Sequence, residues 1–196
     1  MPCACPFSDW VIGEHAQRYH KGARVSTKIE WICLYAIGES HAMLDGFDGI
    51  VYDTAMSLPQ IVIDTNVLVS ALRSQFGASY KLLMLLESAK FDIHLSVPLV
   101  LEYEQATKRH TGRDLRASDV DDILDYLCAI AVPHEIYFLW RPFLRDPKDD
   151  MVLELAVAAQ CKIIVTYNKQ DFSGVEQFGI RVLTPREFLQ EIGELS

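Results

Sequence analysis

No stretch of this sequence is apolar for long enough to cross a bilayer, and its start lacks a basic region followed by an apolar core. Neither a membrane anchor nor an export signal is expected. Basic residues are in the minority: 18 Lys and Arg stand against 27 Asp and Glu, a net charge of -9. That balance excludes a protein that grips nucleic acid by bulk positive charge. It leaves a nucleic-acid substrate open, because divalent cations held by carboxylates add charge that the count omits. Cysteines are few and odd in number (Cys3, Cys5, Cys33, Cys128, Cys161) and follow no framework spacing. A disulfide-stapled fold drops out, and reduced thiols in a cytoplasmic protein are expected. Internal repeats and low-complexity segments are also missing. What is present is 196 residues, half of them apolar, enough for one domain of ordinary size with a buried core and something left over.

The remainder lies at the amino terminus. Residues 1–55 hold three of the five cysteines, three of the six histidines, two of the three tryptophans and little periodicity. Cys3, Cys5, His15 and His20 match no usual zinc spacing and read as incidental. Met56-Ser57-Leu58-Pro59 looks like a second start leading directly into a strand. The expected organisation is a poorly ordered extension, or one acquired from an upstream start codon, over 1–55, and a folded domain over 56–196.

From Gln60 the pattern alternates. Ile61 to Ile63 is β-branched and too short for a helix, so it reads as a strand buried on both faces. Ser79–Ala89 is helical, with Leu82, Leu83, Leu85 and Leu86 on an apolar face. Phe91–Ser96 alternates as a strand, and a helix runs from Pro98 to about Lys108. Ser118 with Asp121 resembles a capping box, opening a helix on Val120, Ile123, Leu124 and Leu127. Ile136–Trp140 is read as a strand, and the run from Asp146 to Asp150 opens a helix. Lys162–Val165 and Ile180–Leu183 are further strands, and Pro185–Ile192 a closing helix. Such alternation predicts an α/β fold of three layers, α/β/α, around a central, mainly parallel sheet.

Polar groups collect at the ends of these elements. Asp64 follows the first strand, where ligands of open α/β sheets bind, with small polar Thr65 and Asn66 behind it. A helix-capping role for Asp64 weighs about equally on its own. Glu102 lies on an early helix, Asp149 and Asp150 at a helix start, and Asn168 and Asp171 after a later strand. Clustered carboxylates repel and desolvate one another unless cations neutralise them. Oxygen donors without thiolates favour Mg2+ or Mn2+, and such ions can assist in-line displacement at a phosphodiester. Plainer roles compete at each position. Asp150 suits a helix dipole, Glu102 a solvated helix face, and Glu154 a surface salt bridge. Lys108, Arg109, Arg113 and Arg116 are first a solvated turn and only second a phosphate contact, and His94 and His134 ordinary strand or loop residues.

In order and spacing, IVIDTNVLVSAL, SVPLVLEYE, RDPKDDMVLELAVA, IVTYNKQDF and TPREFL resemble the PIN-domain family of metal-dependent ribonucleases, over roughly Leu58 to Ile192. Within it the chain is similar to bacterial toxin components of toxin–antitoxin pairs, of VapC type. The resemblance implies that Asp64, Glu102 and Asp150 are the invariant metal-binding acids, supported by Asp149 or Asp146, and that Mg2+ or Mn2+ is the cofactor. It also implies that Thr166 matches the small hydroxyl residue before the fourth acidic position. There the chain departs, with Asn168 where many members have Asp, and Asp171 could supply the charge. Thr65, Asn66, Thr166, Lys108 and Arg109 are the expected substrate-positioning residues. A homodimer, an RNA substrate and a cognate antitoxin that blocks the acidic rim with an Arg or Lys complete the expectation.

The leading reading is an endoribonuclease with Asp64, Glu102 and Asp150 close enough to share a cation. A non-enzymatic alternative keeps the fold as a scaffold that binds RNA or protein, the Asn168 position having cost it turnover. Phosphotransfer through an aspartyl phosphate fits less well. A dehalogenase-type loop would want a second Asp at Asn66, and a receiver domain an acidic pair that Asp64-Thr65 lacks.

Overall fold

The computed structural model describes residues 58–110, 116–136 and 142–196. The extension expected over 1–55, Arg113, and all but the first residue of the strand expected over Ile136–Trp140 lie outside the described residues. Five strands alternate with six α-helices: β1 (Gln60–Ile63), α1 (Thr65–Arg73), α2 (Ala78–Met84), β2 (Asp92–Ser96), α3 (Val97–His110), α4 (Ala117–Ile130), β3 (Val132–His134), α5 (Asp150–Ala158), β4 (Ile163–Val165), β5 (Arg181–Leu183) and α6 (Pro185–Glu191). Two short 3-10 turns, Lys169–Phe172 and Val175–Phe178, join β4 to β5.

All strands pair in parallel, in the order β3-β2-β1-β4-β5. Every residue of Ile61–Ile63 and Ile163–Val165 is buried, as strands covered on both faces require. Ile63, Ile93 and Leu95 meet Leu68 of α1, Leu83 of α2, Tyr103 of α3 and Leu127 of α4 around a small internal void. Helix α5 packs over β1, β2 and β4 and completes the third layer. The three-layer α/β/α architecture with a parallel central sheet is thus the one expected. Strand order reverses between β1 and β4, and this switch point opens a crevice at the carboxyl ends of both strands.

Two local readings change, and one strand is added. Helix α2 stops at Met84, short of Ala89, whose positive φ of 52° cannot continue a helix. Helix α4 starts earlier than Ser118 would cap it: the Arg116 N–H donates to the Asp119 carboxylate at 3.0 Å, so Asp119 has the role expected of Asp121. The third strand is Val132–His134. Pro133 argues against a strand in the interior of a sheet but is tolerated on the edge that β3 forms.

His94 and His134 are more than ordinary strand residues. Gln60 Nε2 donates to the Leu58 carbonyl at 2.9 Å and to Asp92 Oδ2 at 2.7 Å, which fixes the amide with Oε1 toward His94 Nε2, 2.6 Å away. His94 Nε2 must then carry the proton, so its Nδ1 accepts from His134 Nε2 at 2.7 Å. Burial holds the His94 pKa down to about 4, with the His134 ring adding to the effect and Asp92 opposing it. An imidazole depressed in the folded state favours folding above its unfolded pKa, and that contribution is lost as pH falls toward the folded value. Lowering pH from about 6.5 to 4 therefore costs the fold up to about 3 kcal/mol through His94. His94→Gln should flatten this part of the profile, measured by urea unfolding of both proteins at pH 7 and pH 4.5.

Candidate active site

The crevice between β1 and β4 is built around Asp64. Strand β1 ends at Ile63, and Asp64 sits at the N-cap of α1 with extended backbone (φ -72°, ψ 150°). No amide of α1 makes a well-formed cap hydrogen bond to its side chain, although the Thr65 and Asn66 amides lie near enough to favour its charge. Asp64 Oδ2 accepts from the Thr166 hydroxyl at 2.6 Å and from Asn66 Nδ2 at 2.6 Å. Asn66 Nδ2 also reaches Thr166 Oγ1 at 3.0 Å, and the Asn168 N–H donates to that oxygen at 2.9 Å. Thr166, Asn66 and Asp64 form one closed knot across the switch point. Only 4% of Asp64 is exposed. Burial raises its pKa, the Thr166 hydroxyl and the neighbouring Thr65 and Asn66 amides pull against that, and the charge of Asp171 adds to the rise. Beneath it the Tyr103 hydroxyl donates to the Ile63 carbonyl, and burial followed by the Asp64 charge lifts that phenol well above its usual range.

The second acid of the rim is Asp149. Its carboxyl is pushed up to about 7, first by burial and then by the charges of Asp64, Asp146, Asp171 and Asp150. Asp171, in the 3-10 turn after β4, acts on both Asp64 and Asp149, so it brings an acid where Asn168, itself exposed, does not. Asp150 is 1% exposed, and its carboxylate accepts from the backbone N–H of Leu144 at 2.8 Å and of Phe143 at 3.3 Å. It pins the preceding loop to α5. Glu102 is half-buried on α3 and is not among the charges acting on Asp64 or Asp149. Among the described residues, no three Asp, Glu, His or Cys side chains stand close enough to hold a metal ion by themselves.

The remaining expected residues divide. Thr65 opens α1 beside Asp64, while Asn66 and Thr166 hold the Asp64 carboxylate. Lys108 pairs with Glu104 at 2.7 Å and with Asp121 of α4 at 3.1 Å, and Arg109 donates to Gln105. Both lie nearly two turns along α3 from Glu102. Glu154 is 4% exposed, a buried residue of α5 and not on the surface where it was expected. Tyr103, Ser79 and Tyr167 went unread. For Tyr103 a signal existed, since it shares the apolar face of α3 with Leu99, Val100 and Ala106.

A family model described as PIN domain matches residues 60–170, more than half of the chain. The chain belongs to the PIN-domain family. No curated protein matches it. The matched span runs from the first residue of β1 through Thr166 to the edge of Asp171, so it covers the knot at the switch point. The PIN fold is a nuclease-type fold, which makes the acidic crevice the place to look for hydrolysis of a nucleic-acid backbone. No helix among the described residues is long and apolar enough to cross a membrane.

PIN-domain nucleases typically use divalent metals, and the donor chemistry of this rim fits a hard dication. Asp64, Asp149, Asp171 and Asp146 offer oxygen alone, and their mutual repulsion is what a cation would relieve. Ser96, the last residue of neighbouring β2, adds a buried hydroxyl that has no hydrogen-bond partner among the described residues. The repulsion has a cost in stability. A carboxyl whose pKa is raised by folding favours the fold below its unfolded pKa and opposes it as pH climbs through the folded value. Asp149→Asn should therefore stabilise the protein by about 1–3 kcal/mol at pH 8 and by almost nothing near pH 4, in thermal melts without added divalent cation.

Proposed function

We propose that this PIN-domain protein is a Mg2+- or Mn2+-dependent endoribonuclease and the toxin of a toxin–antitoxin pair. The observation that carries the reading is the buried Asp64 carboxylate, held by Thr166 and Asn66 at the switch point and facing the charges of Asp149 and Asp171. In this reading Asp64, Glu102 and Asp150 would hold the cation, with Asp149 and Asp171 adding charge beside them. Asp150 also fixes the loop that carries Asp149. A rim without a closed cage of side chains suits Mg2+, which keeps several waters and is usually held by one or two carboxylates. Bound there, the ion supplies Lewis acidity toward a phosphodiester oxygen and a lowered pKa for water.

The chain's own part is to hold and orient. Thr166 and Asn66 direct their donors to Oδ2 of Asp64, which fixes its rotamer before substrate arrives. Without a cation, burial and the neighbouring acids push the Asp149 carboxyl up to about 7, and a bound dication would draw it back to its charged form. An RNA substrate, a cognate antitoxin that covers the acidic rim with an Arg or Lys, a homodimer and a cytoplasmic setting complete the reading. Asn168, a neutral amide in place of a fourth acid, motivates the alternative of a scaffold that binds RNA without cutting it.

Asp64→Asn should lower Mn2+-dependent cleavage of a labelled RNA by more than about 100-fold while leaving the fold intact by circular dichroism. It should also relieve any growth arrest caused by expressing the parent protein. Cleavage that survives the substitution removes the catalytic reading, and equal RNA binding by two inert proteins selects the scaffold.

A further inference from the structure

Tyr167 follows Thr166 directly and is held in an unusual way for a surface tyrosine. Its hydroxyl lies 2.7 Å from Ser79 Oγ, a side chain buried at the start of α2. Its backbone N–H donates to Asn66 Oδ1 at 3.2 Å, and the same Asn66 amide donates to Asp64 Oδ2 at 2.6 Å. The residue remains 45% exposed. A surface tyrosine ordinarily packs its ring and keeps its hydroxyl wet. Here the hydroxyl is held by a buried side chain while the residue as a whole stays exposed. The backbone of Tyr167 is tied to Asp64 through the Asn66 side chain, and Ser79 holds the far end of its side chain, so the residue is fixed at both ends beside the acidic crevice.

We propose that Tyr167 is a stacking platform for an unpaired base next to the phosphate that lies over the acidic crevice. The inference rests on the nuclease reading of that crevice. An aromatic face accepts any base, because every base has a π-face, and this costs no backbone hydrogen bonding. A base inside a duplex is already covered by its neighbours and cannot reach the ring. Phe76, fully exposed three residues before Ser79, offers a second ring near the same anchor. Rigid tethering matters because a ring already fixed loses little freedom when a base settles on it.

The test uses the full chain carrying Asp64→Asn, so that RNA is bound and not cut. Fluorescence anisotropy with Mg2+ present compares a labelled 12-nucleotide single strand with the matched duplex. Adding Tyr167→Ala should weaken single-strand binding by about 5- to 100-fold and leave duplex binding unchanged. Adding Tyr167→Trp should keep single-strand affinity within about threefold, with tryptophan emission quenched by the single strand and not by the duplex. The Trp variant keeps the test decisive should the Ala variant fold poorly. Unchanged single-strand binding by Tyr167→Ala, or an equal loss for both RNAs, overturns the inference while leaving a cleaving parent enzyme intact. If the parent binds neither RNA and the wild type cuts none, the nuclease reading falls with it.

Discussion

A hydroxyl donating to a buried carboxylate, Thr166 to Asp64 across 2.6 Å, is the contact on which the rest of this site depends. The two residues are 102 positions apart in the chain and meet because β1 and β4 are adjacent at the point where strand order reverses. A carboxylate this deeply buried would be driven toward its neutral form, and hydrogen bonds to the charged form are what oppose that. Asn66 adds a second donor from the other side of the crevice and ties the same oxygen to the backbone of Tyr167. Sheet topology, helix entry and the chemistry of the crevice are consequently one arrangement.

Around that knot the protein collects charge of one sign. Asp149 shows the tension most clearly, since burial and four neighbouring acids act on it together. Before α5, Asp150 anchors the loop and Asp146 accepts from the Lys148 N–H at 3.0 Å, so these two acids also serve the backbone. Sites of this kind trade stability for a prepared electrostatic field, and the field is useful only to a cation or a proton in transit. The overall charge of -9 follows the same logic: bulk charge supplies no affinity for a polyanion, and any such affinity has to come from what the crevice holds.

Much of this was legible before any coordinates. Ile61–Ile63 and Ile163–Val165 announce buried strands by composition, and the residues after them, Asp64 and Thr166, stand where a parallel sheet places its ligands. The limits are equally specific. Asp149 and Asp150 are consecutive, about 100° apart around a helix start, and only packing tells which one faces the crevice and which the loop. Lys108 looks like a free cation until α4 brings Asp121 against it. β3 carries a proline and hides among loops, and only its pairing with β2 makes it a strand. The inward-facing hydroxyl of Tyr167 depends on Ser79, 88 positions away, and no local pattern contains it.

The anchorage of Asp150 changes how an inactivating substitution there has to be understood. Its carboxylate satisfies amides of Phe143 and Leu144 in a place with almost no water, so removing it leaves those donors stranded and frees the segment that delivers Asp149. A dead protein altered at position 150 would report the lost support together with any lost ligand, and activity alone would not separate the two. Position 149, one step earlier and wetter, is where that question can be put without disturbing the frame.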